Sequence, residues 1–336
     1  MSKTLRSIML PLATAFAALG AGQAMAAATI INPAGNVAIG VDDLGQLNTY
    51  VGNVAVNSGY TGVSYKFADG YFRDATSPGC LCEGWGVSAN NAVSGYANNS
   101  SGTGNLTQTS FTSTASTATV TTALTSMPGL TVTHDFAPAT NAGNALYRVH
   151  VTISNNTGAA MNDVKYVRVM DWDVPPTEFN EYVTIRGTGT TTLLEESHDN
   201  GFNTADPLGG SYAIDGSTLN VDFADNGPND HGAYFRFNFG TLADGESYSF
   251  DIFYGAADTE AAALAAIGAE SIELYSLGQS YGGEGTGSPA TFIFGFRGVG
   301  GVSVEPNPIP EPGSLALAGL ALAGLWGSRR RTIKSM

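Results

Sequence analysis

Between Ala27 and Val304 the chain mostly alternates apolar and polar residues with a period of two, as expected of strands that bury one face. Tyr147, Val149, Val151 and Ile153 alternate with Arg148, His150 and Thr152. Asn155-Asn156-Thr157-Gly158 is a turn signal, and residues 164–174 continue as a second strand, so 144–174 reads as a hairpin. Ala233, Phe235, Phe237 and Phe239 alternate with Tyr234, Arg236 and Asn238. After a turn at Ala243-Asp244-Gly245, Tyr248, Phe250, Ile252 and Tyr254 repeat the pattern, and Phe292, Phe294 and Phe296 form a last aromatic strand. Residues 98–126 are rich in Ser and Thr, but Leu106, Phe111, Val120 and Leu124 lie within strand-like runs. Thr favours strands, so exposed strands are expected there rather than a linker.

One helix interrupts the alternation. Asp258 suits an N-cap, Glu260 favours the first turn, and residues 261–266 form helix readily. Leu264 and Ile267 would face the core, and Gly268 or Gly278 would end the helix. The pattern predicts an all-β fold, a β-sandwich with one short capping helix, over residues 27–303 as one body or two subdomains.

Both ends depart from this pattern. Lys3 and Arg6 precede an apolar run over residues 8–20, and Ala24-Met25-Ala26 is an A-x-A cleavage site. Residues 1–26 read as a signal peptide for the Sec export machinery, with the mature chain starting at Ala27. At the other end Pro306, Pro308, Pro310 and Pro312 alternate with other residues. Residues 304–313 are therefore a stiff, extended linker. The uncharged run that follows, 314–327, would make a helix roughly 20 Å long, short of a hydrocarbon core of about 30 Å. Arg329, Arg330 and Arg331 lie in the basic tail 328–336, and such clusters stay cytoplasmic. The run is expected to be a lasting tail anchor, or a transient transmembrane anchor removed by processing, rather than a short soluble helix.

The order Pro310-Glu311-Pro312, apolar helix, arginine cluster resembles the PEP-CTERM sorting signal of Gram-negative bacteria. The same tail also goes under the label ice-binding protein C-terminal domain. The resemblance implies sorting, with Pro310, Glu311 and Pro312 as the processing determinant and exosortase as the processing enzyme. It also implies transient anchoring in the inner membrane, delivery to the cell surface or medium, and an association with exopolysaccharide. It implies no activity for the body.

Charge sharpens this picture. The formal net charge is −15, yet six of the 14 Lys and Arg (Lys3, Arg6, Arg329, Arg330, Arg331, Lys334) sit in the two ends. The body is more acidic than the whole chain, which disfavours nucleic acid as a partner and favours solubility and weak cation binding.

Candidate chemistry is sparse. Cys80 and Cys82 are the only cysteines, and the turn residues Pro78, Gly79 and Gly84 suit a local disulfide. Half a zinc site, an intermolecular bridge and free thiols are the alternatives. Asp171 and Asp173 close a strand, pointing to one side with Trp172 to the other, and Glu178 and Glu181 follow. They read as a solvated acidic strand end, as ligands for Ca²⁺, or as the paired carboxylates of a glycosidase. Asp222, Asp225 and Asp230 lie in a second acidic loop, either an ordinary turn or a loose Ca²⁺ site. Trp85, between glycines, suits a core or turn position or a sugar-stacking platform. His134, His150, His198 and His231 have no ligand spacing, and His150 falls on the outward face of its strand. No local catalytic motif is present.

The expected function is a non-enzymatic structural or adhesive protein of the envelope or an exopolysaccharide matrix, with no cofactor beyond a candidate Ca²⁺. A glycan-binding module built on Trp85, Trp172 and the acidic loops is the second reading. A polysaccharide hydrolase using Asp171, Asp173, Glu178 or Glu181 is the third.

Overall fold

The computed structural model describes residues 26–282 and 287–304. The sorting motif, the apolar helix, the basic tail and all of the signal segment before Ala26 lie outside the described residues. No helix among the described residues is long and apolar enough to cross a membrane.

The protein is built from antiparallel strands. They run β1 (Ala28–Ile31), β2 (Val37–Val41), β3 (Val63–Lys66), β4 (Phe72–Asp74), β5 (Gly84–Ala89), β6 (Val93–Asn98) and β7 (Gly102–Gly104). Then come β8 (Leu106–Ser113), β9 (Ala118–Leu124), β10 (Met127–Pro138), β11 (Leu146–Asn155), β12 (Lys165–Trp172), β13 (Glu181–Arg186) and β14 (Leu194–His198). The last are β15 (Phe223–Asn229), β16 (His231–Asn238), β17 (Ser247–Ala257), helix α1 (Glu260–Ala269), β18 (Leu274–Ser280) and β19 (Thr291–Arg297). They form a nine-stranded sheet in the order β15-β13-β18-β19-β17-β11-β10-β9-β8, a six-stranded sheet β14-β16-β12-β5-β6-β7, and a small sheet β1-β2-β3-β4. The all-β expectation holds.

The two large sheets turn aromatic faces toward each other. Rings of the six-stranded sheet meet rings of the nine-stranded sheet at Trp85–His134 (4.5 Å between centroids), Tyr166–Phe250 (5.0 Å), Phe235–Phe294 (5.4 Å) and Phe237–Phe296 (4.9 Å). Such tilted and edge-on pairs add about 0.5–1.5 kcal/mol each beyond their buried area. One core cluster takes in residues from Ile30 to Val299 and includes all three sheets. The small sheet joins it through Tyr65, whose ring lies 6.5 Å from that of Phe292.

The strand expectations for residues 98–126 hold: β8 and β9 pair along their length. The expected hairpin over 144–174 does not form. β11 pairs with β10 and β17 in one sheet, while β12 pairs with β5 and β16 in the other. The turn at residues 155–158 therefore carries the chain between layers. Asn155 fixes this crossing, its side-chain amide donating to the carbonyls of Ala159 (2.8 Å) and Leu242 (2.9 Å). Leu242 lies on the crossing from β16 to β17, and Met161 forms an antiparallel bridge with it.

Helix α1 begins one residue later than expected. Thr259, not Asp258, is the N-cap, its hydroxyl accepting from the Ala262 N–H at 3.2 Å. Asp258 instead accepts from the Tyr65 hydroxyl at 2.8 Å. Gly268 lies inside the helix and Gly278 in β18, and the turn past the C-terminus is taken by Ser271 at φ +54°. The helix covers the outer face of β17–β19, where Ala263, Ala266 and Ile267 pack on Phe253, Leu277 and Ile293. Leu264 is only partly buried at the edge of that contact.

Candidate functional site

The site grows from strand register at one corner of the two large sheets. β12 pairs with β16 so that Asp171 faces Gly232 and Trp172 faces His231. Just beyond the end of that ladder come Asp173 and Asp230, the residue that turns the chain from β15 into β16, with carboxylate oxygens within 4.8 Å of one another. At the neighbouring edge Glu181, the first residue of β13, pairs with Asn229 of β15. Four acidic residues from three separate stretches of chain thus converge.

Alternation sorts the faces of β12. Trp172 points into the core, fully buried, and its indole N–H donates to Ser276 Oγ at 3.1 Å. Asp171 and Asp173 point the other way, but not to solvent. Asp171 is 2% exposed and Asp173 0%. The reading of a solvated acidic strand end is overturned, because two segments cover this face. One is the stretch before β5: the Asp173 N–H donates to the Ala75 carbonyl (2.8 Å), and Cys80 Sγ lies 3.4 Å from Asp171 Oδ2. The other passes at Gly201, where a Cβ would sit 2.5 Å from the Cα of Asp171; only glycine permits that approach.

Cys80 and Cys82 are joined in a disulfide, with Cα atoms 5.2 Å apart. This settles what the 3.4 Å contact is. A disulfide sulfur has no proton, so it donates nothing to Asp171. It also removes two thiolates from any ligand set containing Cys80, Cys82 and Asp171, although those three lie together.

The buried carboxylates are short of donors. Asp171 Oδ1, both oxygens of Asp173 and Glu181 Oε2 are buried with no hydrogen-bond partner. Glu181 Oε1 accepts from the Val174 N–H at 3.2 Å. Among the described residues the Lys and Arg ion pairs use other acids, namely Asp69, Glu83, Glu195, Glu196, Asp251 and Glu270. The neighbouring His231 is engaged elsewhere, with Nδ1 3.5 Å from Asp199 Oδ2 and Nε2 3.2 Å from the Glu181 carbonyl. Burial, reinforced by Asp230 and Glu181, raises Asp171 well above the carboxylate range. Burial and then Asp171 push Asp173 up to about 9, and burial and then Asp173 push Glu181 up to about 9. Asp230, which is exposed on the turn, is raised as well by desolvation.

Oxygen atoms of Asp171, Asp173 and Asp230 all lie within 4.8 Å of one another. The sequence-predicted metal residues therefore divide. Asp222 and Asp225 do not join the other three, because residues 222–230 are largely strand β15 rather than a loop. Asp222 accepts from the N–H and hydroxyl of Thr188 (2.9 and 2.8 Å), and Asp225 pairs with Thr184 across the β13 edge. Glu178 also stands apart, accepting from Asn57 Nδ2 at 2.9 Å. It lines an open cleft of about 570 Å³ with Tyr60, Gly79 and Phe179. Gly79, on that cleft's wall, separates it from the cluster: a Cβ there would lie 3.5 Å from the buried Asp173 Oδ1. A slightly larger groove, about 620 Å³, lies at Tyr65, Phe67 and Arg73, with the Arg73–Asp69 ion pair on its wall.

Neither tryptophan reaches a surface. Trp85 is fully buried, stacks near Tyr166 and donates its indole N–H to the Leu44 carbonyl at 3.0 Å. A sugar-binding site built on Trp85 and Trp172 is thereby excluded. His150 is outward as expected, but its Nδ1 lies 2.8 Å from Asp251 Oδ1 rather than facing water alone. Sequence reasoning missed a buried ion pair, Arg168 with Glu83, because an arginine in an alternating strand reads as an outward residue.

The fold and this corner define an acidic all-β protein with an enclosed carboxylate cluster. Residues 308–331, at the C-terminus, match the family described as the PEP-CTERM protein-sorting motif. Pro310, Glu311, Pro312, Arg329, Arg330 and Arg331 all fall within the match. The chain carries this motif, which implies an exported protein processed by exosortase and sorted to the cell surface through a membrane-anchored step. The match includes none of the described residues and so bears on delivery, not on the body. No curated protein matches the chain.

Proposed function

We propose that the protein is a non-enzymatic component of the cell surface or extracellular matrix, structural or adhesive, that lies against exopolysaccharide. The observation carrying this reading is the outer face of the nine-stranded sheet. Ser110, Thr121, Thr133, Thr152 and Ser249 are successive cross-strand partners on β8, β9, β10, β11 and β17. They make a row of hydroxyls across five strands, about 4.8 Å apart from strand to strand. Thr121 and Thr133 hydrogen-bond through their hydroxyls at 3.0 Å, and Thr152 and Ser249 at 2.9 Å. A second line of partners, Thr131, Ser154 and Ser247, runs beside the first.

A row of hydroxyls suits a neutral glycan, whose own hydroxyls both donate and accept, and the charges of the next row, Asp135, His150, Asp251 and Arg297, are of both signs and largely paired among themselves. The net charge of −15 disfavours a polyanion. The buried placement of Asp171, Asp173 and Glu181 speaks against a two-carboxylate hydrolase, which needs both groups open to a sugar. The sorting motif supplies delivery to the place where such a polymer is found.

The test is recovery of the mature protein from membrane, surface and medium, with its mass, followed by co-sedimentation with the cell's own exopolysaccharide. We expect a product lacking the residues after the Pro310–Pro312 motif, found outside the inner membrane, that sediments with the polymer. The double change Thr121→Glu with Thr133→Glu should abolish sedimentation. Full-length protein held in the inner membrane, or sedimentation indifferent to the double change, overturns the reading.

A further inference from the structure

We propose that Asp171, Asp173 and Asp230, with Glu181 beside them, bind one Ca²⁺ ion that locks the corner where β12, β13, β15 and β16 meet. Two independent observations converge. The first is geometric: donor oxygens from the three aspartates lie within 4.8 Å of one another. Ligands held at about 2.3–2.6 Å from one ion are at most about 5 Å apart, so the three fit a single ion with little movement. The second is the orphaned state of the buried oxygens. Asp171 and Asp173 are at least 98% buried, and Asp171 Oδ1 and both Asp173 oxygens meet no N–H or O–H. Folded proteins rarely leave buried polar atoms unpaired, and a bound ion is one of the few explanations.

The donor set selects the ion class. Every ligand atom is a carboxylate oxygen; the nearby sulfurs are tied in the disulfide and His231 is turned to Asp199 and the Glu181 carbonyl. Hard oxygen donors suit Ca²⁺, Mg²⁺ or Mn²⁺ rather than zinc or copper. Ca²⁺ tolerates irregular geometry and accepts bidentate carboxylates, whereas Mg²⁺ demands a near-ideal octahedron and keeps its waters. Ligands drawn from strand ends at unequal depths match the first description. Asp230 stands at the exposed side and offers the ion its entry.

The ion would have a mechanical role. Asp173 ends β12, Asp230 ends the β15-to-β16 crossing, and Glu181 opens β13. Without a cation these buried oxygens stay unpaired and nothing ties the corner together. With it, two crossings between the large sheets, β12 to β13 and β15 to β16, are tied to one point beneath the disulfide turn. Calcium outside the cell would then complete a fold that is under-constrained before export.

The experiment uses the full chain stripped with EGTA. Calorimetric titration with CaCl₂ should give one ion per chain, and MgCl₂ should bind at least tenfold more weakly. Thermal melts should rise by roughly 5 °C when Ca²⁺ stands about 100-fold above its Kd. Asp230→Asn, on the exposed turn, should fold normally and weaken Ca²⁺ binding at least tenfold. Asp173→Asn should bind none, and, if it folds poorly, Asp230→Asn alone carries the test. Asp222→Asn should match the parent. Absence of binding at 10 mM CaCl₂, or binding lost with Asp222→Asn and kept with Asp230→Asn, overturns the proposal. Because no polysaccharide enters the assay, its failure is separate from failure of the surface-protein reading.

Discussion

Arg168 and Glu83 form an ion pair in which neither side chain reaches solvent. Arg168 projects from the core face of β12, the face of Tyr166 and Met170, and Glu83 stands just before β5. Glu83 also accepts from the Tyr254 hydroxyl at 3.0 Å and from the Leu47 N–H at 2.7 Å. Arg168 donates onward to the Tyr166 hydroxyl and the Gly45 carbonyl, each at 3.3 Å. Burial alone would lower the guanidinium's pKa, but Glu83 and the phenolic oxygens of Tyr254 and Tyr166 outweigh it and raise it. The pair thus ties both large sheets to the loop between β2 and β3.

Glu83→Gln should cost about 3–5 kcal/mol, because it leaves a buried guanidinium uncompensated. Adding Arg168→Met should recover part of that loss, since the stranded charge is then gone. A double-mutant cycle by urea unfolding measures the coupling. Single changes that add to within about 0.5 kcal/mol would show the pair to be energetically idle.

Phe235 lies between Phe294 and Phe296, with centroids 5.4 and 5.2 Å away, at the centre of the contact between sheets. Phe235→Ala should destabilise by about 3–5 kcal/mol through lost transfer energy and the cavity left behind. Phe202→Ala, at an exposed aromatic of the covering segment, should stay within about 0.5 kcal/mol. Equal losses for the two would contradict the placement of the core.

Much of this architecture was legible because one residue in two is buried. That rule found β11, β16, β17 and β19, and the Thr-rich strands β8 and β9, whose polar residues lie on an outer face. It failed wherever partner choice mattered. Alternation says which face of a strand is apolar, not which sheet the strand joins, so β11 and β12 looked like a hairpin. The same limit hid the acidic corner: Asp173 and Asp230 meet only through the register of β12 on β16. It also hid the covering segments, which turned an apparently open acidic strand end into a buried one. The tail was readable because its order of proline, apolar run and arginines is local.

Acid should weaken the fold through its buried histidines. His198 is fully buried and stacks on Tyr234 at 4.6 Å. Its Nδ1 accepts from the Asn200 N–H at 3.2 Å, so a second proton would break that bond. Burial lowers its pKa to about 4, and burial with the Arg168 charge lowers His134 well below its usual value. An unfolded histidine takes its proton near pH 6.5, before the folded one does. Stability is therefore intact above about 6.5 and falls as pH drops toward 4, by roughly 2–4 kcal/mol for His198. In calcium-free protein Asp173 and Glu181, both near 9, act in the opposite sense and add stability as pH falls from about 9 toward 4. The comparison must then be made against a variant. His198→Gln should lose less stability than the parent between pH 7 and 4.5 in EGTA, and parallel losses would remove His198 from the account.

The disulfide should matter more for placement than for stability. Cys80 and Cys82 close a loop of three residues. Chain entropy gives such a loop about 1.5 kcal/mol at most, little beside the several expected for a long loop. The turn is also held by other bonds: Asn98 Nδ2 donates to the Cys82 carbonyl at 2.7 Å, and the Leu81 N–H donates to Ser100 Oγ at 2.8 Å. Replacing both cysteines by serine should therefore lower stability by about 1.5 kcal/mol or less. It also puts a hydroxyl where Cys80 Sγ stands 3.4 Å from Asp171 Oδ2, giving that buried oxygen a donor it lacks in the oxidised protein. Hydrogen exchange of the 75–82 segment should rise only slightly in the serine variant. Collapse of the whole fold on mild reduction would mean that the bridge, rather than the packing beneath it, holds this corner closed.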